Sequence, residues 1–142
     1  MITFAEMKDS YVEDLAKALV CAYAAPPWNE TWSLEQAQKS IAHICTGTDA
    51  RGYVAINDGK PVAALLGKIQ LYRDYEFYVN QVFVDPAFQH QNIGRKLMDF
   101  TEKQLKKQGI IQLSLSTINE DEEFYRKCGY QIADWLEMKK AL

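Results

Sequence analysis

Histidine is scarce in this chain: His43 and His90 lie in separate segments with no third ligand at useful spacing, so a metal centre has no sequence support. Cysteine is scarce and odd in number. Cys21, Cys45 and Cys128 form no CxxC pair, which excludes a disulfide framework and leaves them to be read as small core hydrophobes in a reducing cytoplasm. No apolar run approaches the roughly 18 residues that cross a bilayer; the longest is Ala18 to Ala25. The start, Met1-Ile2-Thr3-Phe4, has no basic n-region or cleavage site, so neither export nor membrane insertion is expected. A basic block is also missing. With 16 Lys and Arg against 19 Asp and Glu the formal charge is −3, which argues against nucleic acid and anionic membranes as partners. The seven glycines fall singly, and there is no repeat, low-complexity tract or Gly/Ser linker.

What remains is an ordinary globular composition, 48% hydrophobic and 25% charged over 142 residues, which reads as one domain spanning 1–142. Ile2 to Ala5 is a short strand. Ser10 with Glu13 forms a capping box before a helix whose apolar positions Val12, Leu15, Ala16, Leu19 and Tyr23 follow helical spacing, stopped by Pro26-Pro27. Ser33 with Gln36 opens a second helix, with Leu34, Ala37, Ile41 and Ile44 on one face and Gly47 as its C′ residue. Tyr53 to Ile56, the turn Asn57-Asp58-Gly59-Lys60 and the strand Pro61 to Tyr72 give a hairpin. Tyr75 to Val84, rich in β-branched and aromatic residues, completes an antiparallel meander. Gly94 to Gln108 reads as a helix, Ile111, Leu113 and Leu115 as a strand, and Asn119 as the N-cap of a short helix ended by Gly129. Tyr130 to Lys139 is predicted as a final strand. The order β-α-α-β-β-β-α-β-α-β describes an α+β domain with a mixed, mostly antiparallel sheet flanked by helices.

One stretch carries chemistry. In Val82 to Leu97 a strand ends at Asp85-Pro86 and a polar loop runs directly into a helix N-terminus, where free N–H groups and the helix dipole suit a phosphate. Asn92 tolerates positive φ, Gly94 permits close backbone approach, and Arg95 can close on an anion. The same residues also suit a merely solvated, capped loop. A Walker A ending and a dinucleotide-type triple glycine are both absent.

Gln89-His90-Gln91-Asn92-Ile93-Gly94 resembles the Gln/Arg-x-x-Gly-x-Gly/Ala motif of the GNAT superfamily of acetyl-CoA-dependent N-acetyltransferases, with Asn92 in place of the usual first Gly. Phe124-Tyr125-Arg126-Lys127-Cys128-Gly129-Tyr130 resembles that superfamily's Tyr-x-Lys-x-Gly-Phe signature, and the element order suits the fold. A weaker similarity links Asn92-Ile93-Gly94 and Glu123-Phe124-Tyr125 to some aminoglycoside 6′-N-acetyltransferases.

The resemblance implies specific roles. The backbone of Val82, Phe83 and Val84 pairs with the pantetheine arm of acetyl-CoA. The amides of Gln89, His90, Gln91, Asn92, Ile93, Gly94 and Arg95 hold the pyrophosphate, and Asn119 reaches the cofactor from the next helix start. Tyr125 is placed as the acid that protonates the departing thiolate, or else as a packing residue; a phenol near pKa 10 serves a thiolate near 8.5 only through fixed geometry. Relatives place a Glu four or six residues before Val84, where this chain has Asn80 and Tyr78. The nearest carboxylate of the same strand parity is Glu76, which acts as base or is simply solvated. Trp28, Glu30 and Trp32, with Asn80, form the expected acceptor wall, suited to a cationic amine, though a tryptophan here also serves to close the core.

The implied activity is transfer of acetyl from acetyl-CoA to a primary amine of a small cationic acceptor, by direct attack in a ternary complex. The protein is expected to be cytoplasmic, metal-free, and a monomer or homodimer. Two other readings stay open: acetylation of a protein or peptide amine, and a non-catalytic acyl-CoA sensor.

Overall fold

The hairpin at Asn57-Asp58-Gly59-Lys60 forms as expected. In the computed structural model, which describes residues 1–142, Asp58 and Gly59 have φ of 49° and 82°. Positive φ at both central positions is what a two-residue loop between right-twisted strands requires. It joins β2 (Ala50–Asn57) to β3 (Lys60–Leu71), and β4 (Tyr75–Val84) completes the meander. β1 (Ile2–Glu6) pairs antiparallel with β2, and β5 (Gln112–Leu115) pairs parallel with β4, giving the sheet order β1-β2-β3-β4-β5.

Helices cover both faces. α1 (Val12–Ala24) and α2 (Leu34–Ile44) place Leu15, Leu19 and Ile41 against Val54, Ala64, Leu66 and Phe83 on one side. On the other, α3 (Ile93–Lys107) places Leu97, Met98 and Leu105 against Tyr53, Ala55, Leu65 and Phe77. Because β3 is covered on both sides, it reads as a continuous buried run from Pro61 to Gly67 rather than as an alternation. Each fully buried Leu or Phe contributes roughly 1.5–3 kcal/mol relative to exposure. The Ser33–Gln36 capping box is present in both directions: Ser33 Oγ accepts from the Gln36 N–H at 3.0 Å, and Gln36 Oε1 from the Ser33 N–H at 2.9 Å.

Four local expectations are corrected. Ser10 does not cap α1, because Asp9–Tyr11 is a 3₁₀ turn and the residue before α1, Tyr11, has helical rather than extended backbone, so no side chain reaches back. Asn119 likewise belongs to a 3₁₀ turn (Asn119–Asp121) that precedes α4 (Glu122–Lys127), and its side chain caps nothing. Of the three cysteines, Cys21 is exposed and the other two half-buried; none is a core residue. Tyr130 to Lys139 is not a strand: Gly129 (φ 97°) turns the chain away, and residues 131–142 make no backbone hydrogen bond to the rest of the molecule. An alternating pattern specifies a face to bury, but not the edge that buries it.

Candidate active site

The parallel pairing of β4 with β5 stops early. It runs from Glu76 opposite Gln112 to Val79 opposite Leu115; beyond Val79, β4 continues to Val84 with β3 on one side and no strand on the other. The opening coincides with a bulge. Leu66 faces Gln81 and Gly67 faces Val79, which leaves Asn80 without a β3 partner and exposed. Gly67 makes the bulge possible, since a Cβ there would strike the Tyr78 carbonyl oxygen and sit 2.7 Å from the Phe77 ring.

The bulge decides which backbone groups are free. The Asp85 N–H donates to the Val62 carbonyl at 2.8 Å. Bonded pairs alternate along an antiparallel ladder, so Phe83–Ala64 and Gln81–Leu66 face each other through hydrogen bonds, and the N–H and C=O groups of Val82 and Val84 point to the open side. Of the three expected contact residues, Val82 and Val84 offer a free edge; Phe83 is committed to β3 and to the α1/α2 core. Such an edge can accept an extended ligand as an added strand.

The edge leads into the loop before α3. Asp85 Oδ1 accepts from the Ala87 N–H at 3.0 Å and holds a 3₁₀ turn at Pro86–Phe88. His90 and Asn92 both have left-handed backbone, φ 65° and 59°, so Asn92 takes the conformation its residue type allows. The Gln89 N–H donates to the Pro86 carbonyl at 3.3 Å and is unavailable to a ligand. From His90 to Arg95 no N–H finds an acceptor within the chain, and the Asn92 side chain caps none of them. A positive helix end with unpaired amides suits an anion. The bare side of Gly94 faces the Phe124 ring and Val84, 3.4 and 3.9 Å from where a Cβ would stand. Arg95 is exposed and makes no salt bridge.

Tyr125 of α4 packs on the α3-side core and borders a cleft beside Leu113 and Leu115 of β5. Its ring packs edge-on against Phe124 (5.1 Å between centroids) and Tyr130 (5.8 Å). Burial first, then the charge of Asp121, hold the phenol above its ordinary value, so it stays protonated through neutral pH. Opposite it stands Tyr23 at the end of α1, stacked on Trp32 (5.7 Å, 21°) and met edge-on by Trp28 (5.3 Å, 87°). Burial, then Glu30, then Asp121 push the Tyr23 phenol up to about 12. Asp121 thus acts on both phenols, which brings α1, the Trp28–Trp32 loop and the start of α4 around one space. Trp32 Nε1 donates to Glu30 Oε1 at 3.1 Å, fixing the carboxylate, while the Trp32 ring packs on the α1/α2 core. Burial, then Glu120, raise the Asp121 carboxyl above its own ordinary value.

Sequence reasoning missed Tyr23 and Asp121; the one reads as a helix-face residue and the other as a first-turn acid, and only tertiary folding makes them neighbours. Glu76 lies elsewhere. Its carboxylate accepts from Gln112 Nε2 at 3.1 Å at the closed end of the β4–β5 pair, about 10 Å along the strand from Val79. The parity argument fails at the bulge: Phe77 and Val84 both face α3, so Glu76 and Val84 lie on opposite faces despite their even separation. Tyr78, in one of the two places considered for a Glu, pairs its hydroxyl with Ser116 Oγ at 3.1 Å.

The family sequence model described as the acetyltransferase (GNAT) domain matches residues 48–132. No curated protein sequence matches the chain. Among solved structures, a possible acetyltransferase from Clostridium difficile 630 is similar over 100% of this chain and 98% of that one, with TM-score 0.84 and 15% identity. A ribosomal-protein-alanine N-acetyltransferase from Brucella melitensis biovar Abortus 2308 covers 100% and 99% at TM-score 0.77 and 16% identity. An aminoglycoside N-acetyltransferase, AAC(6′)-Iy, in complex with CoA, covers 99% and 95% at TM-score 0.77 and 11% identity. A split parallel pair, an unpaired amide run at a helix start and a family match over more than half of its length lead to one assignment: the chain belongs to the GNAT acetyltransferase family.

Proposed function

We propose that this protein transfers acetyl from acetyl-CoA to a primary amine of a small cationic acceptor, by direct attack within a ternary complex. The observation that carries the reading is the free edge of Val82 and Val84 running into the unpaired amides of His90 to Arg95. That edge suits the amide-bearing pantetheine arm, and the amides with Arg95 suit the pyrophosphate. Residues 1–142 act as one unit, without a metal.

The acceptor class follows from the other wall. Tyr23, Trp28 and Trp32 present aromatic surface beside Glu30 and Asp121, a setting that attracts an ammonium group. Asp121 is the better base than Glu76, because it stands with Tyr125 whereas Glu76 is paired with Gln112. In the reaction the ammonium gives a proton to Asp121 and the neutral nitrogen forms the new C–N bond at the thioester carbon. As the C–S bond breaks, Tyr125 gives its proton to the leaving sulfur, and the second proton lost by the nitrogen returns to the Tyr125 oxygen to leave the neutral amide. Asn119, exposed on the turn before α4, remains free to contact the cofactor.

The test is release of free thiol from acetyl-CoA across a panel of polyamines, aminoglycosides and peptide N-termini. Turnover confined to small polycations supports the proposal, turnover confined to peptides moves the acceptor class, and binding of acetyl-CoA without turnover on any amine leaves an acyl-CoA sensor.

A further inference from the structure

On its β1 side, β2 is longer than its neighbour. Pairing ends at Glu6 opposite Tyr53. After one further bond, from the Met7 N–H to the Gly52 carbonyl at 2.8 Å, the chain leaves the sheet for the 3₁₀ turn at Asp9–Tyr11. Ala50, Arg51 and Gly52 of β2 are left lining a notch at this edge, with a volume of about 430 Å³, inside the roughly 300–1,000 Å³ range of small-molecule sites. Arg51 faces Gly67 and Gly67 faces Val79, so the notch lies two strands from β4 and apart from the acetyl-transfer site.

Opposite charges share this notch without meeting. Glu6, Asp9 and Arg51 line it together, yet none of the three makes an ion pair. Neutral acceptors hold the guanidinium instead: Nε donates to Gln108 Oε1, and Nη1 to the carbonyls of Thr48 and Ala50, each at 2.8 Å. The second Nη has no acceptor. Tyr53, only 1% exposed, also lines the notch; its hydroxyl accepts from Gln108 Nε2 at 3.2 Å and donates to nothing. Burial raises this phenol, the Gln108 hydrogen bond lowers it, and Glu6 and Arg51 act on it with opposite sign, so both charges stand near the hydroxyl.

We propose that the notch binds a free α-amino acid with an uncharged side chain. The ligand's carboxylate takes the free Arg51 Nη and the Tyr53 O–H, and its ammonium lies against Glu6 and Asp9. Bonds from a guanidinium to a carboxylate, and from an ammonium to carboxylates, are charge-assisted and among the stronger ones. One molecule carrying both charges thereby satisfies groups that do not satisfy each other. A simple amine would leave Arg51 unmet, and a simple carboxylate would face two anions. Met7, Ala50 and Cys45 supply a less polar wall for the ligand's side chain. Gln108 is a positioning residue, since its amide group is shared between Arg51 and Tyr53 and sets both donors. The inference does not rest on the reaction proposed above.

The experiment follows backbone amide and indole NMR signals of the intact chain during titration with glycine, alanine, leucine and methionine. At least one of these is expected to shift the amides of Glu6, Arg51 and Gln108 along a saturable curve, with a dissociation constant of about 1 mM or tighter. The matching amine without the carboxylate, and the matching acid without the ammonium, should each bind at least about tenfold more weakly. Glu6→Gln combined with Asp9→Asn, and separately Arg51→Gln, should weaken the amino acid by about tenfold or more with the circular dichroism of the fold retained. No saturable shift at these residues with any of the four ligands overturns the inference. So do shifts confined to Trp28, Trp32 and Tyr125, which put the ligand in the acceptor wall, and so does equal binding of the bare amine or the bare acid. Affinity unchanged in the acidic double variant overturns it as well. Should Arg51→Gln not fold, the double variant, altered at two exposed positions, decides.

Discussion

At the scale of single residues, the site is set by two groups whose surroundings differ from their local sequence. Tyr125 is half-buried among aromatic rings, with Asp121 nearby, so it stays protonated at neutral pH and can serve as a donor through fixed geometry. Tyr125→Phe keeps the ring and removes the hydroxyl. The expected result is a fall in single-turnover rate of about 10² to 10⁴-fold, with acetyl-CoA affinity and melting temperature nearly unchanged. A rate within about threefold of wild type, far below that range, would remove Tyr125 from the acid role. Asp121 gives a second test through pH. Its carboxyl is held above its unfolded value, so the folded state binds the proton more tightly. The stability it contributes is present below the unfolded pKa and is lost as pH rises through the folded one. Asp121→Asn is therefore expected to leave stability at pH 7 undiminished while abolishing the rise of kcat/KM with pH that follows ionisation of Asp121. Unchanged pH dependence in the variant would leave the incoming amine to supply its own neutral form.

At the scale of elements, the bulge in β4 is the feature on which the site turns. It releases Asn80 from the β3 ladder, reverses the facing of β4 and aims the Val82 and Val84 peptide groups at the opening. Gly67 sits at its centre because any Cβ would meet the Tyr78 carbonyl and the Phe77 ring. Gly67→Ala is expected to lower stability by about 3 kcal/mol, the upper end of overpacking costs, and to weaken acetyl-CoA binding by shifting the free edge. Urea unfolding with calorimetric titration checks both; an unchanged unfolding midpoint would show that the strand pair absorbs a Cβ without repacking. The start of α3 was legible beforehand, because Asn is one of few residues that tolerate a left-handed backbone and Asn92 has φ 59°. The first capping box was not, because a 3₁₀ turn displaced the start of α1 past Ser10.

At the scale of the whole molecule, binding of acetyl-CoA ties β4, α3 and α4 together and should raise the melting temperature. At a hundred times the dissociation constant the added stability is about 2.7 kcal/mol, a shift on the order of 10 °C for a chain of this size. Absence of any shift at millimolar acetyl-CoA would remove the cosubstrate assignment. The sequence by itself determined what depends on neighbours along the chain. The type I′ hairpin follows from Asp58-Gly59, the α2 cap from Ser33 and Gln36, the helical periodicity of α3 from its apolar spacing, and the left-handed Asn92 from its residue type. Each is fixed by steric or hydrogen-bonding rules that act within a few residues. Tertiary structure alone decided the rest. A one-residue bulge reversed the facing of Glu76 relative to Val84, and packing of α1 against the sheet brought Tyr23 to Asp121 and Tyr125. The alternating C-terminal segment carried a pattern for burial, yet it pairs with no strand of the fold. Register and partner choice are properties of two segments at once, and neither is written in the local pattern of one.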